Sequence, residues 1–305
     1  MNVGSSSRMG LRAVSMLVAL AVVSSLLSAV PAAVAATPSG DCGSGTFPSN
    51  CPAAVYSTVG SSPISTTGLS TTNSGDLVIA IVVAQSGDTI GTPTVGSTTM
   101  TGPVCAYAPS SGQVEIWYLY EASSISSQIV SVTVTGGKTT DGIGLIAFGV
   151  SGASSTAATD GSCGTGSSST NSLPPPSVTL SGLSYSNDFI IGGVLASGKS
   201  SGVSSIAATS PTTLITDATG SSGAKGGNAA GYQLGGVGQT TQTVAFSISG
   251  SAASWDEIAV ALEASSTTPI PSFPQGAIPV IVATLGCYLI IRKQQQRRRA
   301  GAQAG

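Results

Sequence analysis

Two stretches of this chain carry the same succession of short apolar runs. Ser74-Gly-Asp76-Leu-Val-Ile-Ala is echoed by Ser186-Asn-Asp188-Phe-Ile-Ile-Gly. Further on, 129–136 (IVSVTVTG) and 142–148 (GIGLIAF) are echoed by 243–250 (TVAFSISG) and 256–262 (DEIAVAL). The offset stays near 112 to 114 residues, which is the mark of an internal duplication. Each half must therefore be built from the same elements. Those elements are rich in Val, Ile and Thr, four to nine residues long, and punctuated by Gly, Ser, Thr and Pro, so they are strands. The runs 76–84, 114–121, 129–135, 142–150, 177–180, 188–196, 244–249 and 256–264 are assigned in this way. No run before residue 268 has the 3.6-residue period of a helix.

About five strands per half are too few for a closed sandwich of the immunoglobulin kind, whereas ten to twelve pooled strands suit a single two-sheet body. The expected fold is all-β: a two-sheet, jelly-roll-like sandwich made from two sequence-similar halves, about 74–152 and 186–266. The Ser/Gly/Pro-rich segment 151–176 is expected to be a loop between them.

Apolar runs with flanking cations bracket this body. Arg8 and Arg12 precede the apolar run 13–30, and Ala33-Val34-Ala35 is a small-x-small site, so 1–36 is expected to be a signal peptide. At the other end, 269–291 is apolar and is followed by Arg292, Lys293, Arg297, Arg298 and Arg299. Its length approaches the roughly 20 residues that span a bilayer as a helix, and Lys and Arg are retained on the cytoplasmic side. The expected topology has the body, 37–268, outside the cell, a single transmembrane helix at 269–291 in the lipid bilayer, and a basic cytoplasmic tail at 292–305.

The residues Pro271-Ser272-Phe273-Pro274, followed by a short apolar span and a basic cluster, make the C-terminus resemble the sorting tails recognised by archaeosortase- and exosortase-type enzymes; Ser272 stands where those tails usually carry Glu or Gly. The body is similar in outline to jelly-roll-like modules of surface, adhesin and phage structural proteins. It has a Gly75-Asp76-Leu77 strand, an Ile116-Trp117-Tyr118 strand, a Thr-alternating strand at 130–135 and a closing apolar strand at 258–262. Such a resemblance implies a fold and a surface setting, without an activity.

The charges separate cleanly. All 12 acids of the chain lie in the body, with only Lys138, Lys199 and Lys225 to oppose them, so the body has a formal charge of −9. A body without arginine or histidine has no basic face for phosphates, which excludes nucleic acid as a partner. Cys42, Cys51, Cys105 and Cys163 allow three pairings; the short Gly/Ser/Pro loop between the first two favours Cys42–Cys51 and Cys105–Cys163.

With no histidine, the Ser-His-Asp and Cys-His arrangements and His-ligated metals are excluded. No catalytic residue, metal site or cofactor is assigned. A carboxylate pair for glycoside chemistry is not visible locally: Glu115 and Glu121 share a strand face but lie about 20 Å apart. The ligand-binding candidates are Trp117 with Glu115, as an aromatic shelf for sugar rings on the face opposite Val114, Ile116, Tyr118 and Tyr120, and Trp255, which more readily closes a core. The leading expectation is a non-enzymatic, membrane-anchored surface protein with a structural or adhesive role, meeting surface glycans or other surface proteins. The alternatives are a glycan-binding module using the Trp117 strand, a virion or filament subunit, and a carboxylate-based glycan-active enzyme.

Overall fold

The computed structural model describes residues 37–265, apart from 171–172, 185–186, 221–224 and 236–238, together with Arg292. The expected signal peptide, transmembrane segment and sorting motif lie outside the described residues. Among the described residues, no helix is long and apolar enough to cross a membrane.

Residues 35–266 form one compact unit, and it is all-β. The first half contributes β1 (Ser39–Asp41), β2 (Val55–Thr58), β3 (Asp76–Gln85), β4 (Thr101–Tyr107), β5 (Gly112–Glu121) and β6 (Gly142–Ser151). They form an antiparallel sheet in the order β1–β6–β3–β5–β4, with β2 also paired to β6. The second half contributes β7 (Thr159–Ser168), β8 (Ser177–Ser181), β9 (Phe189–Ala208), β10 (Thr213–Thr219), β11 (Gly227–Leu234) and β12 (Thr241–Leu262). Its sheet runs β7–β12–β9–β11–β10, with β8 also paired to β12. The two five-strand orders are the same once β7, β12, β9, β11 and β10 are read for β1, β6, β3, β5 and β4. The duplication seen in the sequence is thus a duplication of topology, one six-stranded sheet per half.

The sheets stack face to face. A side chain at Gly193 would collide with Ile81, and Ile81 and Gly193 correspond at the offset of the repeat. Gly112, the ladder partner of Gln85, abuts Leu195, so β3 and β9 run in the same direction across the interface. Phe47 fits between the layers with ring centroids 6.3 Å from Phe148, 6.2 Å from Phe189 and 5.0 Å from Tyr232.

Two sheets are not the whole fold, and here the two-sheet expectation is corrected. β3 and β6 are buried along nearly their whole length on both faces. A strand covered on both faces reads as a continuous apolar run rather than an alternating one. The outer face of the first sheet is covered by a small sheet of Ile64–Ser65, Thr94–Val95, Thr98–Thr99 and Val130–Val132, and by the pair Asp88–Ile90 with Val134–Gly136. The outer face of the second is covered by its own long strands. β9 passes through register shifts between Ser197 and Ser205, after which Ser205–Ala208 pair with Phe246–Ser249, and this ribbon, with β8, lies back over the sheet. A second core of Val178, Leu180, Val194, Ile206, Val244, Phe246 and Trp255 fills that gap. The body therefore contains four antiparallel sheets among the described residues.

The segment expected to be a loop, 151–176, contains β7. Thr159–Ser168 has no apolar alternation because its place in the sheet comes from backbone pairing to β12. Its glycines are required by packing: a Cβ at Gly164 would collide with Val178.

Both expected disulfides form, with Cα atoms 4.8 Å apart in Cys42–Cys51 and 5.8 Å apart in Cys105–Cys163. The second joins β4 to β7, the edge strands of different sheets, and a Tyr107–Ser167 hydroxyl contact of 3.0 Å lies beside it. At the opposite edge the Ala54 N–H donates to Thr216 Oγ1 at 3.2 Å, tying the approach to β2 onto β10. Both open sides of the sandwich are thereby fastened, one by the cystine and the other by this hydrogen bond. On the loop-closure model the wide bridge stabilises by about 4 kcal/mol and the narrow one by about 2.5 kcal/mol.

Candidate functional site

Trp117 lies on the outer face of the first sheet, opposite Ala80. β4 pairs with β5 through a register shift between Thr101 and Cys105, and that bulge carries Gly102 over the indole. A Cβ at Gly102 would lie 3.4 Å from the ring. Trp117 is 8 % exposed and its Nε1 donates to Glu115 Oε2 at 2.9 Å. The two residues are together, as expected, but the indole offers no open stacking face; the bulge takes the place a sugar would occupy. Burial raises the Glu115 carboxyl above its ordinary range, and the indole hydrogen bond partly offsets this.

Trp255 closes the second core. It is 5 % exposed, its Nε1 donates to the Pro174 carbonyl at 2.8 Å, and its ring rests where Gly166 has no side chain. This anchors one end of the triple-proline segment.

Among the described residues, the aromatic ring left most open is that of Tyr120, 43 % exposed, at the end of β5. It borders a cleft of about 400 Å³ with Ser74, Gly75, Ser154 and Ser265. Alternation had assigned Tyr120 to the covered face; it is uncovered because β5 ends there. The chain enters the body at this same end, where Ser39 pairs with Ser151, and leaves it there, where the Ser265 N–H donates to Gly152 O at 2.7 Å. A second cleft, of about 390 Å³, lies between Pro174–Pro176, Lys199 and Ile248.

Carboxyl pairs invisible in the sequence appear in the fold. Asp41, on edge strand β1, accepts from the Gly43 N–H (3.0 Å), the Thr72 N–H (2.9 Å) and hydroxyl (2.7 Å), and the Asn73 N–H (3.0 Å) and side-chain amide (2.8 Å). Burial alone would raise its pKa, but these donors outweigh it and hold the carboxyl below its usual range. Asp76, fully buried at the start of β3, is pushed up to about 6 by burial and then by the charge and hydrogen bond of Asp41. The second half repeats the arrangement. Asp160, on edge strand β7, accepts from the Ser184 N–H. Asp188, immediately before β9, is pushed up to about 7 by burial, then by Asp160 and by the charge of Glu263. At the far end of β3, Asp88 is raised to about 6 by burial and by the charge of Asp141. Within the second core the fully buried Glu257 is raised to about 9 by desolvation.

The aspartate pairs at the starts of β3 and β9 are 0–5 % exposed, with Asp41 and Asp160 each taken up by backbone donors, so their geometry suits holding strands together better than meeting a substrate. No protein family, curated protein or solved structure matches this chain.

Proposed function

We propose that the chain is a membrane-anchored extracellular protein whose duplicated β-body acts in surface structure or adhesion. The observation that carries this reading is the pair of disulfides in a body with both sandwich sides fastened. Such bridges belong to oxidising compartments outside the cytoplasm. The sequence brackets of apolar runs flanked by arginines support the same location, and the closed carboxyl pairs support a role without catalysis. The test is deletion of the chain, with rescue by the full chain and by a chain ending at residue 268. Loss of cell adhesion or surface cohesion restored by the full chain alone supports the reading. Hydrolysis of a polysaccharide by the purified protein, or full rescue by the truncated chain, contradicts it.

A second reading, glycan binding, is favoured by Tyr120 rather than by Trp117. An open tyrosine ring beside the Ser74, Ser154 and Ser265 positions combines a stacking face with hydroxyl groups. Glycan-array binding that is lost in Tyr120→Ala and kept in Trp117→Phe supports this; binding that survives Tyr120→Ala removes it.

A further inference from the structure

Asp41 on β1 stands across Gly149 of β6 from Val78, two residues beyond Asp76. Asp160 on β7 stands in the same way across Ala261 of β12 from Ile190, two residues beyond Asp188. In each half an edge-strand aspartate thus lies beside an aspartate at the start of a central strand. Asp41 needs nothing more, since five donors already point at its oxygens. Its neighbour is in the opposite position. Both oxygens of Asp76, and both of Asp188, are buried without a hydrogen-bond partner, and the lowering influence of Thr71 and the Asn73 N–H on Asp76 is smaller than the raising influence of burial and of Asp41. A buried carboxylate in that state would carry its full desolvation cost beside a second negative charge. A buried carboxylic acid would instead donate its O–H to the partner. Among the described residues no cation offsets the charge: the titratable groups facing the first pair are the two aspartates themselves and Glu121 across the ladder, and those facing the second are its own two and Glu263. The body's three lysines lie elsewhere, Lys138 in the turn after Gly137, beyond the far end of β3, Lys199 at the cleft with Pro174–Pro176, and Lys225 against the bend of β9.

We propose that each pair is a proton-held clasp, Asp76 donating to Asp41 and Asp188 to Asp160, which fastens edge strands β1 and β7 to the cores of their sheets and opens when the shared proton is lost. The duplication supplies the independent support, because the same buried acid–carboxylate contact recurs at corresponding ladder positions in the two sheets. The step balances simply. On deprotonation the proton goes to water, two carboxylates remain face to face, and their repulsion is relieved by moving the short edge strand outward. In acid both clasps are closed.

The direct readout is the amide protons that donate to the receiving carboxylates, followed by NMR on the full chain between pH 4 and 9. Gly43, Thr72 and Asn73 are expected to titrate together with a midpoint of about 6, and Ser184 with a midpoint of about 7. In the Asp76→Asn, Asp188→Asn variant the asparagine keeps an N–H donor but cannot ionise, so those titrations vanish while the amides keep their acid-side positions. If the wild-type amides do not titrate between pH 5 and 8, the proposal fails. It also fails if calcium added at pH 8 restores the acid-side spectrum and a chelator removes it, since the pairs would then be cation sites. The wild-type titration decides the matter even if the variant does not fold.

Discussion

Glu257 is the residue whose chemistry departs furthest from its usual surroundings. It projects into the second core with both oxygens unpartnered, in the company of Val194, Ala259 and Trp255, and burial raises it to about 9, so it is a neutral acid at physiological pH. Glu257→Gln is therefore expected to fold as well as the parent at pH 7 and to surpass it above pH 9, where the parent must carry a buried charge; thermal unfolding at the two pH values checks this. Trp117→Phe tests the bulge corner. It removes the donor to a half-buried Glu115, and a loss of about 1–3 kcal/mol is expected, measured by denaturant unfolding. The pairing of Trp117 with Glu115 was legible from a two-residue spacing on one strand face. The covering of Trp117 was not, because it depends on a bulge in a different strand.

At the scale of elements, the apolar runs that became β3, β5, β6 and the first part of β9 were readable because each is long and β-branched. So was the disulfide pairing, through the short loop between Cys42 and Cys51. β7 was missed for a physical reason: its ten residues are nearly all Ser, Thr and Gly, and it is held by backbone pairing and by a cystine that acts across sheets. The long strand β12 was seen as two separate runs and β9 only in its first part, since a strand that bends through register shifts looks broken in one dimension. The Cys105→Ser, Cys163→Ser variant is expected to lose about 2–5 kcal/mol, and faster amide exchange in β4 and β7 than in β3 would locate the loss at that edge. If exchange rises uniformly, the bridge does not act where the fold places it.

For the molecule as a whole, the pH dependence of stability follows from the raised carboxyls. Asp76, Asp88, Asp188 and Glu257 all have folded pKa values above the unfolded ones, at about 6, 6, 7 and 9. Between the unfolded and folded values the native state holds more protons than the unfolded chain, so stability falls as pH rises. The fall begins near pH 4 and continues to about pH 9, while Asp41, shifted the other way, costs stability only below about pH 4. A melting temperature highest in mild acid and declining through neutrality is expected; a maximum near pH 8 would contradict the assignment. The aspartate pairs behind this could not be read along the chain, because Asp41 and Asp76 meet through the register of β1 and β3 against β6 rather than through spacing. The repeat that placed Asp76 and Asp188 at corresponding positions was nevertheless visible.

The claim on which the functional reading rests is that the β-body stands outside the cell and the basic tail inside. The body carries Lys138, Lys199 and Lys225, all exposed, and the tail carries Lys293. Intact cells treated with a membrane-impermeant amine reagent, followed by peptide mapping, test it directly. The three body lysines are expected to be modified before lysis and Lys293 only after it. Modification of Lys293 on intact cells with the body lysines untouched would contradict the account.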